Sequence, residues 1–274
     1  MAHILLHPGF HKTGTGSVQT FLAANRAALS PCLDMLLPPQ LEPVAQHCLA
    51  FSKHHSALIL PDLVATLDTI FVANPDLGER DLILSSADLC GHSPGWPGVD
   101  TYAVAPSLVE CLAGYFAERF STATVSVVLT TRSTAAWMHS LWQQQLQSRR
   151  MTYDFEGFSE RYADVADLGH SVAATATAIE PTPVYDMPLD EALHHPQGPG
   201  GAVLELIDLP PGVRAALRPV GVENRGPDPA LTEQFLSLNR SAAPDDAVRR
   251  QKDELIRRAK IGGWALRLDK PEAG

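Results

Sequence analysis

The sequence predicts an α/β fold in three layers, with a mainly parallel β-sheet flanked by helices. Three observations lead there. Short apolar runs recur at Ile4–Leu6, Leu82–Leu84 and Val125–Leu129, each of strand length and each bounded by polar or turn residues. Between them, apolar residues fall at helical spacing, as crossover helices between parallel strands require. The first run also opens directly onto a glycine-rich loop that leads into a helical pattern.

Pro8-Gly9 stops the first run. Val18, Phe21, Leu22 and Leu29 then share one helical face, with Ser17 read as the N-cap. Leu58–Phe71 reads as one or two helices, with Pro61 at a start or a kink. Gly91–Thr101 (GHSPGWPGVDT) is dense in turn residues and reads as a loop. Leu108, Leu112 and Phe116, spaced by four, predict a helix. Val125–Leu129 is the clearest strand, β-branched and uncharged. Ser133–Arg150 is strongly helical, with Met138, Leu141, Trp142 and Leu146 on one face, and Phe155–Val165 reads as the next helix. Pro183–Met187 reads as a further strand and His194–Gly201 as a flexible loop. Asp245–Lys260 sets opposite charges four apart: Asp245 with Arg249, Asp246 with Arg250, Asp253 with Arg257, Glu254 with Arg258. That pattern is a solvated, salt-bridged helix face.

At roughly 150 residues per domain, 274 residues read as one large domain, 1–274, whose last residues, 264–274, need not be ordered. Hydrophobic residues at 45% and charged residues at 19% are the balance of a globular chain. Lys and Arg number 21 against 31 Asp and Glu, a net charge of −10, which argues against nucleic acid as a partner. No apolar run approaches the roughly 18 residues that cross a bilayer, and the N-terminus lacks the pattern of a signal peptide. Cys32, Cys48, Cys90 and Cys111 form no C-x-x-C pair and read as reduced thiols of a cytoplasmic protein. His3, His7 and His11 are four apart but fall in a strand and a loop. His54-His55 and His194-His195 lack a third ligand, so no metal site is expected.

The first chemical signal is Pro8-Gly9-Phe10-His11-Lys12-Thr13-Gly14-Thr15-Gly16-Ser17, between a strand and a helix. Glycines let backbone N–H groups turn toward an anion, a helix N-terminus adds its positive end, and a lysine supplies full charge. Gly9 and Gly14 have the G-x4-G spacing of the nucleoside-triphosphate loop, yet Thr15 and Gly16 stand where that loop has Lys and Ser/Thr. The lysine sits earlier, at position 12. This is a phosphate cradle of another type.

The second signal is Arg132 at the end of a strand, with Ser140 eight residues on in the following helix. A guanidinium fork and a compact hydroxyl so placed can grip one phosphate.

Together the two segments resemble those of sulfotransferases that use 3′-phosphoadenosine 5′-phosphosulfate (PAPS). HPGFHKTGTGSVQTFL resembles the family's 5′-phosphosulfate loop in its bacterial, carbohydrate-sulfotransferase-like form, and VVLTTRSTAAWMHSLWQQ resembles its 3′-phosphate segment. LILSSADL, PVYDMPLDEAL and ENRGPDPALTEQFLSLNRS are weaker echoes. The resemblance implies a P-loop-NTPase-like fold. It also implies metal-independent sulfuryl transfer from PAPS to a hydroxyl or amine of a small-molecule or carbohydrate acceptor, leaving 3′-phosphoadenosine 5′-phosphate (PAP). It makes Lys12 catalytic, puts His11, Lys12, Thr13, Gly14, Thr15, Gly16 and Ser17 around the phosphosulfate, and assigns Arg132 and Ser140 to the 3′-phosphate. Tyr185 is matched to an adenine contact.

Two departures follow. The family's Ser-Ser-Glu reads Ser85-Ser86-Ala87-Asp88 here, so the acceptor's base is open among Asp88, His92 and His11. Placement at a strand end favours Asp88, and intrinsic basicity favours His92. The C-terminal basic-glycine motif survives at best as Arg257–Gly263. Two rivals remain: a P-loop-type kinase or hydrolase, and a non-catalytic nucleotide-binding relative.

Overall fold

The computed structural model describes residues 2–220 and 226–261. Five strands form one sheet: β1 (His3–His7), β2 (Leu33–Leu36), β3 (Asp81–Ser85), β4 (Thr124–Thr131) and β5 (Val184–Pro188). Their order is β2-β3-β1-β4-β5 and every pairing is parallel. Helices flank the sheet, an α/β arrangement consistent with a three-layer P-loop-like fold. The central strands read as unbroken apolar runs because helices cover both of their faces. Ile4, Leu5, Leu82, Ile83, Leu84, Val127, Val128 and Leu129 are all fully buried.

The sequence reading missed β2. Its apolar run is broken by Asp34, a buried carboxylate that takes a 2.5 Å hydrogen bond from Arg80 and another from the N–H of Gly78. A charge inside a strand hides the pattern when its partner lies 46 residues away.

The chain leaves β1 toward β2 on one side, and later crosses to β4 on the other. The carboxyl ends of β1 and β4 therefore flank the crevice where ligands bind in such sheets. β4 outlasts β1 there. Leu6 pairs with Val127, so Thr130 and Thr131 stand beyond the level of His7 and flank the loop that follows β1.

Three local expectations are corrected. Gly14, not Ser17, is the N-cap of the Thr15–Ala24 helix, and it adopts a left-handed backbone at φ 94°. His194–Gly201 is not simply a flexible loop. Its end forms the helix Gly198–Leu204, in which a Cβ at Gly200 would lie 2.4 Å from the Phe21 ring. Glycine permits that close approach to the Thr15–Ala24 helix. Along the Asp245–Ile261 helix, Arg250 does pair with Asp246 and Arg258 with Glu254, both at 2.6 Å. Arg257, however, turns to Glu254, and Asp245 is taken by Arg150.

The chain divides into two compact units, 1–137 with 164–220, and 138–163 with 221–274. The first holds the sheet. In the second, Asp154 and Asp228 cap the Phe155–Arg161 and Pro229–Arg240 helices through the N–H groups of Gly157 and Leu231. Buried Asn239 donates to the carbonyls of Leu146 and Met151, which ties two segments together. Glu223-Asn224-Arg225, Gly262-Gly263 and the tail 264–274, all named above, lie outside the described residues. No helix among the described residues is long and apolar enough to cross a membrane.

Candidate functional site

The site is built on the loop between β1 and the Thr15–Ala24 helix. Phe10 is fully buried and anchors it. Gly9 (φ 28°), Lys12 (φ 66°) and Gly14 (φ 94°) all take left-handed backbone conformations. Lys12 holds its conformation without being a glycine, a costly state that the surrounding packing must enforce. A Cβ on Gly14 would stand 2.5 Å from Leu189.

Thr13 and Thr15 are buried, and their hydroxyls turn inward. Thr13 Oγ1 donates to the Phe10 carbonyl at 2.6 Å and lies 2.8 Å from Thr130 Oγ1. Thr15 Oγ1 reaches the same carbonyl at 3.2 Å. These hydroxyls brace the loop against β4 and do not face outward. No well-formed hydrogen bond among the described residues uses the backbone N–H of Lys12, Thr13, Gly14, Thr15 or Gly16. The loop's outward donors are therefore its N–H groups, at the positive end of a helix.

Arg132 stands at the end of β4 and donates from Nη1 to the Lys12 carbonyl at 3.3 Å. Its Nε is buried and has no partner among the described residues. Burial lowers the pKa of the Lys12 ammonium, and the neighbouring Arg132 charge lowers it further. Burial lowers Arg132 too, against the opposing pull of Asp190. Two desolvated cations side by side favour an anion between them. Asp190 and Leu189 were not singled out from sequence. They follow β5 at the same sheet end, and PVYDMPLDEAL was the only hint of them.

On the β3 side, the Ser86 hydroxyl accepts from the Asp88 N–H and caps a short turn over Ala87–Cys90. Asp88 Oδ1 lies 3.1 Å from His11 Nε2, and His11 Nδ1 lies 3.0 Å from the Tyr102 hydroxyl. That hydroxyl also accepts the His11 backbone N–H at 3.0 Å. Trp137 Nε1 donates to the His11 carbonyl at 2.9 Å. The His11 hydrogen bond pulls the Asp88 pKa below its ordinary value, overcoming burial, and the His11 and His92 rings add to the effect only when protonated. Its surroundings therefore hold Asp88 in the ionised form, able to accept but not to donate. His92 lies in the turn-rich loop, stacked on Trp96 with ring centroids 4.1 Å apart, and its N–H donates to Ser52.

His7 lies beneath the loop, fully buried, with Nδ1 2.8 Å from the Ser85 hydroxyl and Nε2 3.5 Å from Thr130 Oγ1. Burial drops its pKa to about 4. It is a neutral structural histidine that joins three strands. His3 contacts Ser126 instead, so His3, His7 and His11 each face a different partner. Among the described residues, no three His, Cys, Asp or Glu side chains gather as a metal site.

The structure thus gathers His11, Lys12, Thr13, Gly14, Thr15, Gly16, Arg132 and Asp88 at one end of the sheet. Ser17 follows in the first turn of the helix, partly exposed. Tyr185 is exposed on β5, level with Val128 and three residues short of the strand's carboxyl end. Ser140 belongs to the second unit, on the Thr134–Ser148 helix. No protein-family model matches the chain, and no curated protein matches it significantly.

Proposed function

We propose that the chain is a sulfotransferase that moves a sulfuryl group from PAPS to a hydroxyl or amine of a small-molecule or carbohydrate acceptor. The observation that carries this reading is the pair of desolvated cations, Lys12 on the loop and Arg132 at the end of β4, beside backbone N–H groups of residues 12–16 that make no well-formed hydrogen bond among the described residues. The buried Nε of Arg132, without a partner among the described residues, fits an anionic ligand independently of any resemblance.

Bound PAPS supplies a sulfuryl group activated by its link to phosphate. The N–H groups of residues 12–16 would hold the phosphosulfate. The Lys12 ammonium would stabilise charge growing on the oxygen that stays with the 5′-phosphate, catalysis of the oxyanion-hole kind. Arg132 would take the 3′-phosphate, with Ser140 its partner on sequence spacing alone. The acceptor must approach opposite the departing phosphate. The Asp88 side of the crevice, across the loop from Arg132, suits that approach. Nothing in this reading draws on nucleic acid or a membrane.

PAP should raise the melting temperature without added metal, because a ligand of the native state stabilises it by mass action. ATP with Mg²⁺ should do less. Strong stabilisation by ATP–Mg²⁺ and none by PAP would point to a kinase or hydrolase instead. PAP binding with no PAPS turnover over a broad acceptor panel would point to a non-catalytic relative.

A further inference from the structure

The hydrogen bonds around His11 can be counted proton by proton. The Tyr102 hydroxyl carries one proton and lies 3.0 Å from two nitrogens of His11, the backbone N and ring Nδ1. The backbone N–H can only donate, so it fills one lone pair of the phenol oxygen. The other ring nitrogen, Nε2, faces Asp88 Oδ1 at 3.1 Å, and an ionised carboxylate can only accept. Nε2 must therefore carry the hydrogen. A neutral imidazole has just one, so Nδ1 offers a lone pair and takes the Tyr102 proton. The opposite tautomer would set a lone pair against a carboxylate and strand the hydroxyl proton of a side chain only 3% exposed.

We infer that Tyr102 is a positioning residue whose hydroxyl locks His11 as the Nε2–H tautomer, and that His11 in turn holds Asp88 as the crevice's proton acceptor. The inference rests on the transferase reading for its chemistry but not for its geometry. His11 spends both ring nitrogens inside the protein, which removes it from the choice of base. Asp88 Oδ2 has no hydrogen-bond partner among the described residues, on a side chain 40% exposed. In the transfer, the bond from sulfur to the acceptor oxygen forms as the bond from sulfur to the 5′-phosphate oxygen breaks. The electron pair of the broken bond stays on that phosphate oxygen, and the acceptor's proton passes to Asp88 Oδ2. Tyr102 itself is held by Phe10, at a ring distance of 4.7 Å, and by Trp137, so its hydroxyl has little freedom to leave His11. The other titratable groups facing this chain among the described residues are His92 and Cys48, toward Asp88, and Cys90, toward Tyr102.

The test is the tautomer of His11 in the full chain, read from two-bond proton–nitrogen correlations of 15N-histidine-labelled protein and assigned with His11→Gln. In its neutral form, wild-type His11 should be protonated on Nε2 alone. Tyr102→Phe should show a mixture of tautomers. An Nδ1–H imidazole in wild type overturns the inference, and so does an unchanged single tautomer in Tyr102→Phe. If Tyr102→Phe does not fold, the wild-type spectrum decides. With PAPS and an acceptor, Tyr102→Phe should lower kcat on the order of tenfold to a hundredfold, as small misplacements do, with little change in the KM for PAPS. A kcat equal to wild type would also overturn it. Should no PAPS turnover be found at all, the transferase reading fails while the spectrum still decides the lock.

Discussion

The Arg132 guanidinium hydrogen-bonds the backbone carbonyl of Lys12 at 3.3 Å, so the two cations of the crevice hold each other's place. The bond joins the end of β4 to the loop after β1, two segments 120 residues apart. In the proposed transfer their duties separate: Arg132 would carry binding and placement, and Lys12 would carry charge at the reacting end.

Arg132→Ala should weaken PAP by about 1.5–3 kcal/mol, the worth of hydrogen bonds to a charged group. It should weaken 5′-AMP, which lacks the 3′-phosphate, far less. Calorimetric titration of both ligands checks this. Equal losses for the two would remove Arg132 from the 3′-phosphate.

Lys12→Ala should cut turnover by a factor on the order of 10² or more, the cost of one lost oxyanion donor, while PAP still binds measurably. Lys12→Gly separates charge from backbone. Glycine accepts the φ of 66° without strain, so it should match Lys12→Ala in lost turnover yet unfold at a higher temperature. Equal melting temperatures would mean that the loop stores no strain at Lys12.

The strands at the heart of this site were legible in the sequence because a parallel sheet covered on both faces writes its core as unbroken aliphatic runs. Ile4–Leu6, Leu82–Leu84 and Val125–Leu129 each lie within an observed strand. The glycines of the loop were legible for a related reason, since left-handed backbone at positions 9 and 14 demands them. Side-chain pairings across long sequence separations were not. Nothing local marks Thr130 as the brace of Thr13 and Thr15, or Tyr102 as the partner of His11. β2 hid behind Asp34, and the Gly198–Leu204 helix hid behind glycines that serve close packing and not flexibility. The charge ladder near the C-terminus was half readable. Periodicity shows which residues can meet on one helix, but Arg150, from another segment, competes for Asp245.

His7 makes stability depend on pH in the acid range. Its folded pKa of about 4 lies below the ordinary 6.5, so between those values the unfolded chain binds more protons than the folded one. Its contribution is therefore complete above pH 6.5 and is lost as pH falls toward 4. The full loss is about 3 kcal/mol at 1.36 kcal/mol per pKa unit. Urea unfolding of wild type and His7→Asn at pH 7 and pH 4.5 isolates it. The gap in favour of wild type should narrow at the lower pH, and a constant gap would contradict the burial of a neutral imidazole.

In the second unit, Lys252 closes the end of the Thr134–Ser148 helix. Its ammonium donates to the carbonyls of Leu146 and Arg149, groups that the helix itself cannot satisfy. The side chain is 4% exposed, and burial, with the nearby Arg150 charge, lowers its pKa from 10.5 to about 8. Two effects oppose each other. Removing the amine takes a donor from both carbonyls, although Leu146 keeps the Asn239 amide, whereas keeping it charged means holding a cation out of water. Between pH 8 and 10.5 the unfolded chain holds the Lys252 proton more tightly than the folded one. Stability from this group therefore rises with pH across that window, by up to about 3 kcal/mol. Lys252→Met keeps the packed stem and removes both the titration and the carbonyl bonds. It should unfold more easily than wild type at pH 8, and the gap should widen by pH 10. Tyrosines and cysteines titrating in the same window are common to both proteins and cancel in the difference. A gap that shrinks with pH would mean that the ammonium, and not the neutral amine, is the form the folded chain prefers.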